Sequence, residues 1–430
     1  MKRSILTLSL LSALAVTSCQ RDFDEVTPQR EPQASETGSP TTPARAFLST
    51  QGAEAGVLYF RIQRSAKRSL RAFDANGASM SSLPSQMAQS LRSIGTESLE
   101  PLFPIDPRFE ERMRREGLDL WYVVRFNKQQ DLQAAMQTLT STPEIEYTEP
   151  VYEIARPTGK AVAVDAPRRS DAPTAPFDDP MLGDQWHYNN TGRFPRSVAG
   201  ADIGLFKAWE KETGKPNVIV AITDGGIDIT HPDLKDNLFV NVKELNGQEG
   251  VDDDGNGFID DINGFNFIHN NGKIYPDDES HGTHVAGTVA ARNNNGIGVA
   301  GIAGGDGTEG SGARLMSCQI FGGEREGGNS ANAIVYSANN GAVISQNSWG
   351  YIYKANITAI PQSQKAAIDY FIKYAGCDKD GNQLPNSPMK GGVVIFAAGN
   401  DGLDYRSFPG AYPPVVAVGS MAPDWKSAYY

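Results

Sequence analysis

Ser280-His281-Gly282-Thr283-His284-Val285-Ala286-Gly287-Thr288-Val289-Ala290-Ala291 is the stretch on which the reading of the chain turns. Val285 and Val289 recur at helical spacing among alanines and glycines, which predicts a helix. Its small residues let a partner backbone approach closely, which suits a helix inside an α/β sandwich rather than one on a surface. Two histidines stand in the first turn, where the helix macrodipole places partial positive charge. A histidine in that position usually serves structure through a hydrogen bond. Its role here depends on what the rest of the chain brings to it.

Around this helix, apolar strand-like runs alternate with helical patterns. Segments 217–223, 314–321, 342–346, 392–397 and 415–418 read as strands, and 283–292, 329–340 and 362–375 as helices. Such alternation predicts a doubly wound α/β fold, a parallel sheet with helices on both faces, over 178–430. Functional groups in these sheets collect beyond the carboxyl ends of the strands. Three polar stations fall there: Asp224 before Gly225-Gly226, His281 at the helix start, and Asn400 after Gly399. Taken singly, Asp224 and Asn400 read as turn chemistry.

The N-terminal part has a different organisation. Lys2 and Arg3 precede an apolar run from Ile5 to Val16, which is the build of a secretory signal rather than a membrane span. It ends in Val16-Thr17-Ser18-Cys19, so 1–19 reads as a bacterial lipoprotein signal with lipidation at Cys19. An ordinary signal peptide with an incidental cysteine is the plainer alternative. Segment 20–54 is a polar, proline-containing tether. Strand patterns at 57–62, 120–126 and 144–147 and helical ones at 85–94, 107–116 and 131–139 make 55–155 a small α+β domain. A proline- and alanine-rich linker with an expected processing site follows at 156–177. With 51 acidic against 39 basic residues, the net charge of −12 argues against nucleic acid as a partner. Cys318 and Cys377 do not demand a disulfide, and Cys318 falls in a buried strand pattern.

The words around the three stations, VAITDGGIDITHPDL, SHGTHVAGTVAA, QNSWG and VVIFAAGNDG, resemble in this order the subtilisin-like serine peptidases, or subtilases. The resemblance implies a subtilisin-like sheet over 178–430 and a serine endopeptidase acting on proteins and peptides. It implies that Asp224 orients His281, that His281 is the general base, and that Asn400 donates to the oxyanion. His284 is then structural, and His231 belongs to the phrase His-Pro-Asp-Leu beside the site. Ser348-Trp349-Gly350 becomes the edge that pairs with an extended substrate, with small, uncharged pocket walls that suit a bulky apolar residue. The 55–155 domain resembles the family's propeptide, a folding template and intramolecular inhibitor, although an unrelated binding domain would have the same size. Membrane attachment through Cys19 would place the protein in the bacterial cell envelope, with release of the catalytic domain on cleavage in the linker.

Two departures accompany the resemblance. Gly225 stands where many relatives carry Ser or Thr, a tolerated loss of one hydrogen bond. No Gly-Thr-Ser-x-Ala-x-Pro motif is present, so the nucleophile is expected beyond Tyr430 and the 430 residues are expected to be inactive. Gly310-Ser311-Gly312 reads as a turn and not as a substitute. No cofactor is needed for the chemistry, but structural calcium is expected. Asp252, Asp254, Asn256 and Asp260 space oxygens as in an EF-hand-like loop without its closing Glu, and a solvated acidic turn is the alternative. Asp233 and loop 293–299 resemble ligands of a family calcium site. A catalytically inactive subtilase-fold binding protein is one rival reading. A small-ligand enzyme on a doubly wound sheet is the other, and Gly225-Gly226 lacks the G-x-G-x-x-G spacing it would need.

Overall fold

The computed structural model describes residues 48–67, 83–155, 175–322 and 328–428. The expected lipidation site at Cys19, the tether up to residue 47 and the linker from 156 to 174 lie outside them. The N-terminal domain runs β1 (Ala53–Ile62), α1 (Ser85–Ser93), β2 (Thr96–Pro101), α2 (Glu110–Arg115), β3 (Trp121–Phe126), α3 (Leu132–Thr140), β4 (Ile145–Tyr152) and the short β5 (Ile154–Ala155). Its four long strands form an antiparallel sheet in the order β2-β3-β1-β4.

Strand periodicity explains the packing of this sheet, because successive side chains point to opposite faces. Leu58, Phe60 and Ile62 of β1, with Tyr122, Val124 and Phe126 of β3, pack on α1 and α3 through Met87, Leu91, Met136 and Leu139. The intervening Val57, Trp121 and Val123 belong instead to the core of the larger domain. The small sheet is therefore apolar on both faces, and only one face is covered by its own helices.

The larger domain continues with α4 (Leu205–Trp209), β6 (Ile219–Gly225), α5 (Val242–Leu245), β7 (Gly264–Asn266), α6 (His281–Ala290), β8 (Arg314–Phe321), α7 (Ser330–Asn339), β9 (Ile344–Asn347), β10 (Gly350–Tyr351), α8 (Gln362–Tyr374), β11 (Val393–Ala397) and β12 (Val416–Val418). Six strands form one parallel sheet in the order β12-β11-β9-β6-β8-β7. Ala286 and Ala290 of α6 meet Val220, Ile222 and Leu315 on one face. On the other, Met316, Cys318, Ile320 and Phe396 lie in one cluster with α7 and α8. The expected doubly wound architecture is what forms. Strands β2 and β7 were not expected, since Thr96–Pro101 and Gly264–Asn266 are too polar or too short to give an alternating pattern.

The uncovered face of the small sheet lies on α7 and α8, and both domains belong to one unit, Arg45–Tyr430. Helix α7 is buried at every position from Ala331 to Asn339, because it has the large sheet beneath it and the small domain above. Cys318 and Cys377 are free, buried thiols, and burial pushes the Cys318 thiol well above the ordinary range.

Candidate active site

Asp224 sits at the carboxyl end of β6 with its side chain fully buried. His281 is the first residue of α6, preceded by Ser280 in the left-handed region at φ 54°. What brings the two together is contact between backbones. A Cβ at Gly282 would lie 2.0 Å from the Gly225 carbonyl oxygen, so the helix start can lie against the strand end only with glycine there. Thr283 Oγ1 accepts from Asp228 N–H at 2.9 Å and ties the same turn to the segment after β6.

His281 Nδ1 is 2.7 Å from Asp224 Oδ1. An ionised carboxylate only accepts hydrogen bonds, which puts the proton on Nδ1 and leaves Nε2 with its lone pair. The imidazole is partly exposed while its carboxylate partner is not. A buried acid holding a base in one tautomer at an accessible surface is competent for proton transfer to and from a reacting group.

Asp277 is a residue that motif reading missed. Its Oδ1 accepts from Glu279 N–H at 3.0 Å and His281 N–H at 3.2 Å, which supports the start of α6. Its Oδ2 lies 1.6 Å from where a Cβ on Gly225 would be. The glycine at 225 thus has a steric reason beyond a lost hydrogen bond, since the Asp277 carboxylate occupies that space. Asp277-Asp278-Glu279 reads in sequence as an acidic loop, with nothing to single out its first member.

Asn400 is exposed just beyond β11, on the same carboxyl edge of the sheet. Strand β9 lies between β6 and β11, which sets the two stations apart by about two strand spacings, or ~10 Å. His284 is exposed, and His231 Nδ1 accepts from Asp233 N–H at 3.2 Å. Ser311 is engaged in its own turn, with Oγ donating to Thr308 O at 2.8 Å.

The edge expected to take substrate is already paired. Strand β5, the last described part of the N-terminal domain, runs antiparallel to β10, with Ala155 opposite Gly350 and Ile154 opposite Tyr351. Ile352 N–H extends the ladder to Glu153 O at 3.2 Å. Ser348 Oγ accepts from Gln346 Nε2 at 2.8 Å. Trp349 was read as a pocket wall, but it is buried with its ring 5.0 Å from that of Phe396. Ser407 was missed. A Cβ on Gly350 or on Gly399 would meet Ser407 Oγ at 3.4 or 3.3 Å, which puts this hydroxyl between the two facing segments.

The acidic loop gathers fewer of its oxygens than its spacing suggested. Carboxylate oxygens of Asp252, Asp254 and Glu244 come within 4.8 Å of one another. Asn256 turns its amide to Asp261, and Asp260 accepts from Gly250 N–H. Glu244, invisible to the loop pattern because it lies in α5, accepts from the N–H groups of Asp253, Asp254 and Asp260. An all-oxygen, triply acidic cluster suits a hard cation such as calcium. Asp233 is buried and accepts from Asn295 Nδ2 at 2.8 Å and Val299 N–H at 3.0 Å, so loop 293–299 does wrap it.

A hydrogen-bonded Asp–His pair stands at the carboxyl edge of the parallel sheet, with the chain's own upstream strand paired on β10. The chain belongs to the subtilase family: the model described as "Subtilase family" matches residues 215–429, and that for "N-terminal of Subtilase family" matches 66–192. The N-terminal domain is accordingly the propeptide. Subtilisin-like protease 1 of Plasmodium berghei (strain Anka) is 35% identical over 171 residues, which are 39% of this chain and 27% of that protein. The major intracellular serine protease of Bacillus subtilis (strain 168) is 31% identical over 223 residues, 50% of this chain and 54% of that one. Among solved structures, fervidolysin from Fervidobacterium pennivorans aligns with a TM-score of 0.48 and 20% identity, covering 88% of this chain and 44% of that one. The chain thus spans about a quarter of the length of the Plasmodium relative and about half that of the Bacillus one.

Proposed function

We propose that this chain is the propeptide and the Asp–His-bearing part of a serine endopeptidase that hydrolyses proteins through an Asp–His–Ser triad. The 2.7 Å bond between His281 Nδ1 and Asp224 Oδ1 carries the reading. In this mechanism His281 Nε2 takes the proton of a serine hydroxyl as it attacks the scissile carbonyl, then returns it to the leaving amine. Asp224 holds the ring and stabilises the imidazolium. The Asn400 side chain donates to the oxyanion, a contribution worth roughly 10²–10³ in rate. None of the 430 residues stands in a Gly-Thr-Ser nucleophile motif, so the chain alone is proposed to be inactive, with the serine encoded beyond it.

Substrate binds in extended form against Gly350-Tyr351, the edge now held by Ile154-Ala155. The propeptide in this way inhibits by occupying the substrate's own hydrogen bonds. Small groups at Gly350, Gly399 and Ser407 leave room for a bulky apolar side chain before the scissile bond. Calcium would be held by Glu244, Asp252 and Asp254, and a second ion by Asp233 with loop 293–299, as structural ballast outside the chemistry. Export with lipid attachment at Cys19 and release of the catalytic domain by cleavage within 156–177 complete the proposal. Fractionating cells tests this last part: lipidated, active enzyme that still includes Cys19 and the mature domain refutes release.

The activity is tested on the reading frame extended through its serine motif, using a denatured protein substrate. D224N is expected to lower kcat about 10⁴-fold. Absence of a Gly-Thr-Ser motif from the frame, or a D224N variant as active as its parent, would end the proposal.

A further inference from the structure

The propeptide inserts the Arg112 guanidinium into the larger domain with no carboxylate among its hydrogen-bond partners in the described residues. Arg112 of α2 has no solvent exposure, and all its acceptors are neutral. Its Nε donates to Tyr370 Oη at 2.7 Å and its Nη2 to Asn339 Oδ1 at 2.7 Å. Its Nη1 divides between the main-chain oxygens of Cys377 at 3.0 Å and Asp378 at 2.9 Å. The guanidinium carbon lies 3.6 Å from the Phe109 ring centroid and 5.4 Å from those of Tyr370 and Tyr374. Such a cation is costly to desolvate, so something must replace a carboxylate.

The replacement lies in where the acceptors sit. Asn339 is the last residue of α7, and Cys377 and Asp378 follow the end of α8. The socket is thus built where α7 and α8 end, from a side-chain amide, a phenol and two carbonyls of the segment after α8. Arg108 repeats the contact one turn earlier, with Nη2 donating to Asn340 Oδ1 at 2.8 Å. Four acceptors arranged around a planar fork, with aromatic rings beside it, match guanidinium and not ammonium.

We infer that the ends of α7 and α8, with Asn339, Tyr370 and the carbonyls of Cys377 and Asp378, form a guanidinium-specific binding socket. Arg112 fills it, and the catalytic domain recognises its propeptide there as an arginine rather than as any cation. Lysine at 112 would present a compact, strongly hydrated charge that reaches fewer of these acceptors at once. The inference concerns the contact between the two domains and stands independently of peptidase activity.

The test uses hydrogen exchange in the full 430-residue chain, read far from the substitution. The reporters are the Gln362 and Ser363 amides, which donate to Glu149 of the propeptide, and Ile352 N–H on the β5 ladder. R112K and R112A are each expected to speed exchange at these amides about tenfold or more, matching the loss of a charged hydrogen bond or two. Low-millimolar N-ethylguanidinium should restore protection in R112A, while butylammonium should not. Should R112A fail to fold, Y370F removes a single acceptor. It is expected to speed exchange severalfold in the wild-type background and not in R112K. Wild-type protection in R112K, equal rescue by butylammonium, or an unchanged Y370F would overturn the inference.

Discussion

At residue scale, the Asp224–His281 contact depends on glycines as much as on the two side chains that make it. Gly282 lets α6 touch the end of β6, and Gly225 leaves the space that the Asp277 carboxylate fills. Placing a methyl group at 225 sets it against a buried side chain that supports the His281 amide. G225A is therefore expected to cost about 1–3 kcal/mol in urea unfolding, by overpacking. A change within experimental error would show that Asp277 moves aside freely. Asp224 and His281 could be found from the strand-end rule and the helix motif. Asp277, Glu244 and Ser407 could not, because their roles arise from which loops meet and not from spacing along the chain.

At the scale of elements, α8 is a helix with no side-chain caps of its own. Pro361 precedes it and Ala375 follows it, and neither supplies a capping bond from its side chain. The propeptide serves both ends, with Arg112 at the carboxyl end and Glu149 accepting from Gln362 N–H at 2.7 Å and Ser363 N–H at 3.1 Å. Two effects oppose one another at Glu149. The helix N-terminus favours the anion, but full burial disfavours it more, and the carboxyl is pushed up to about 7. Among the described residues its surroundings add no cation: Tyr147 and Tyr152 lie on its own strand, Tyr351 on β10, and Glu54 lines the same small cavity. A carboxyl raised on folding binds its proton more tightly in the native state. Its stabilising contribution is full below the unfolded value of about 4.5 and is lost as pH rises through about 7. E149Q, which imitates the protonated form, is expected to match wild type in urea unfolding at pH 4.5. At pH 8 it should be more stable by about 1–3 kcal/mol. A less stable E149Q at pH 8 would mean that the ionised cap prevails.

Across the whole molecule, the small sheet is apolar on both faces and the large sheet needs helices on both of its own. Docking the first onto α7 and α8 buries Val57, Trp121 and Val123 together with Ile334, Val335 and Phe371. Burial of each such side chain is worth roughly 1.5–3 kcal/mol. A parallel sheet forms only through contacts distant in sequence, and two of the helices that cover this one are packed on the small domain. The proposed calcium site at the acidic cluster would add a second, separable source of stability. Calcium at about a hundred times its dissociation constant should raise the Tm of the chain by about 2 °C or more. E244Q should abolish that increment while leaving the calcium-free Tm within about 2 °C. An increment that survives E244Q would place the ion elsewhere.

Much of this molecule was legible in the linear chain, because the interactions concerned repeat along it. The apolar run of β8 from Arg314 to Phe321 was bounded as it forms, and α7 and α8 came within a residue at each end. The strand-to-glycine turns gave the positions of Asp224 and Asn400, and the small-residue helix gave His281. Contacts between distant segments left no such trace. That Trp349 is buried on Phe396, that Glu244 joins the acidic loop, and that Arg112 enters the ends of two helices follow from three-dimensional approach alone. Periodicity records which face of an element is buried. Only the folded chain decides what buries it, because a hydrogen-bond donor in sequence does not specify which of many distant acceptors it will meet.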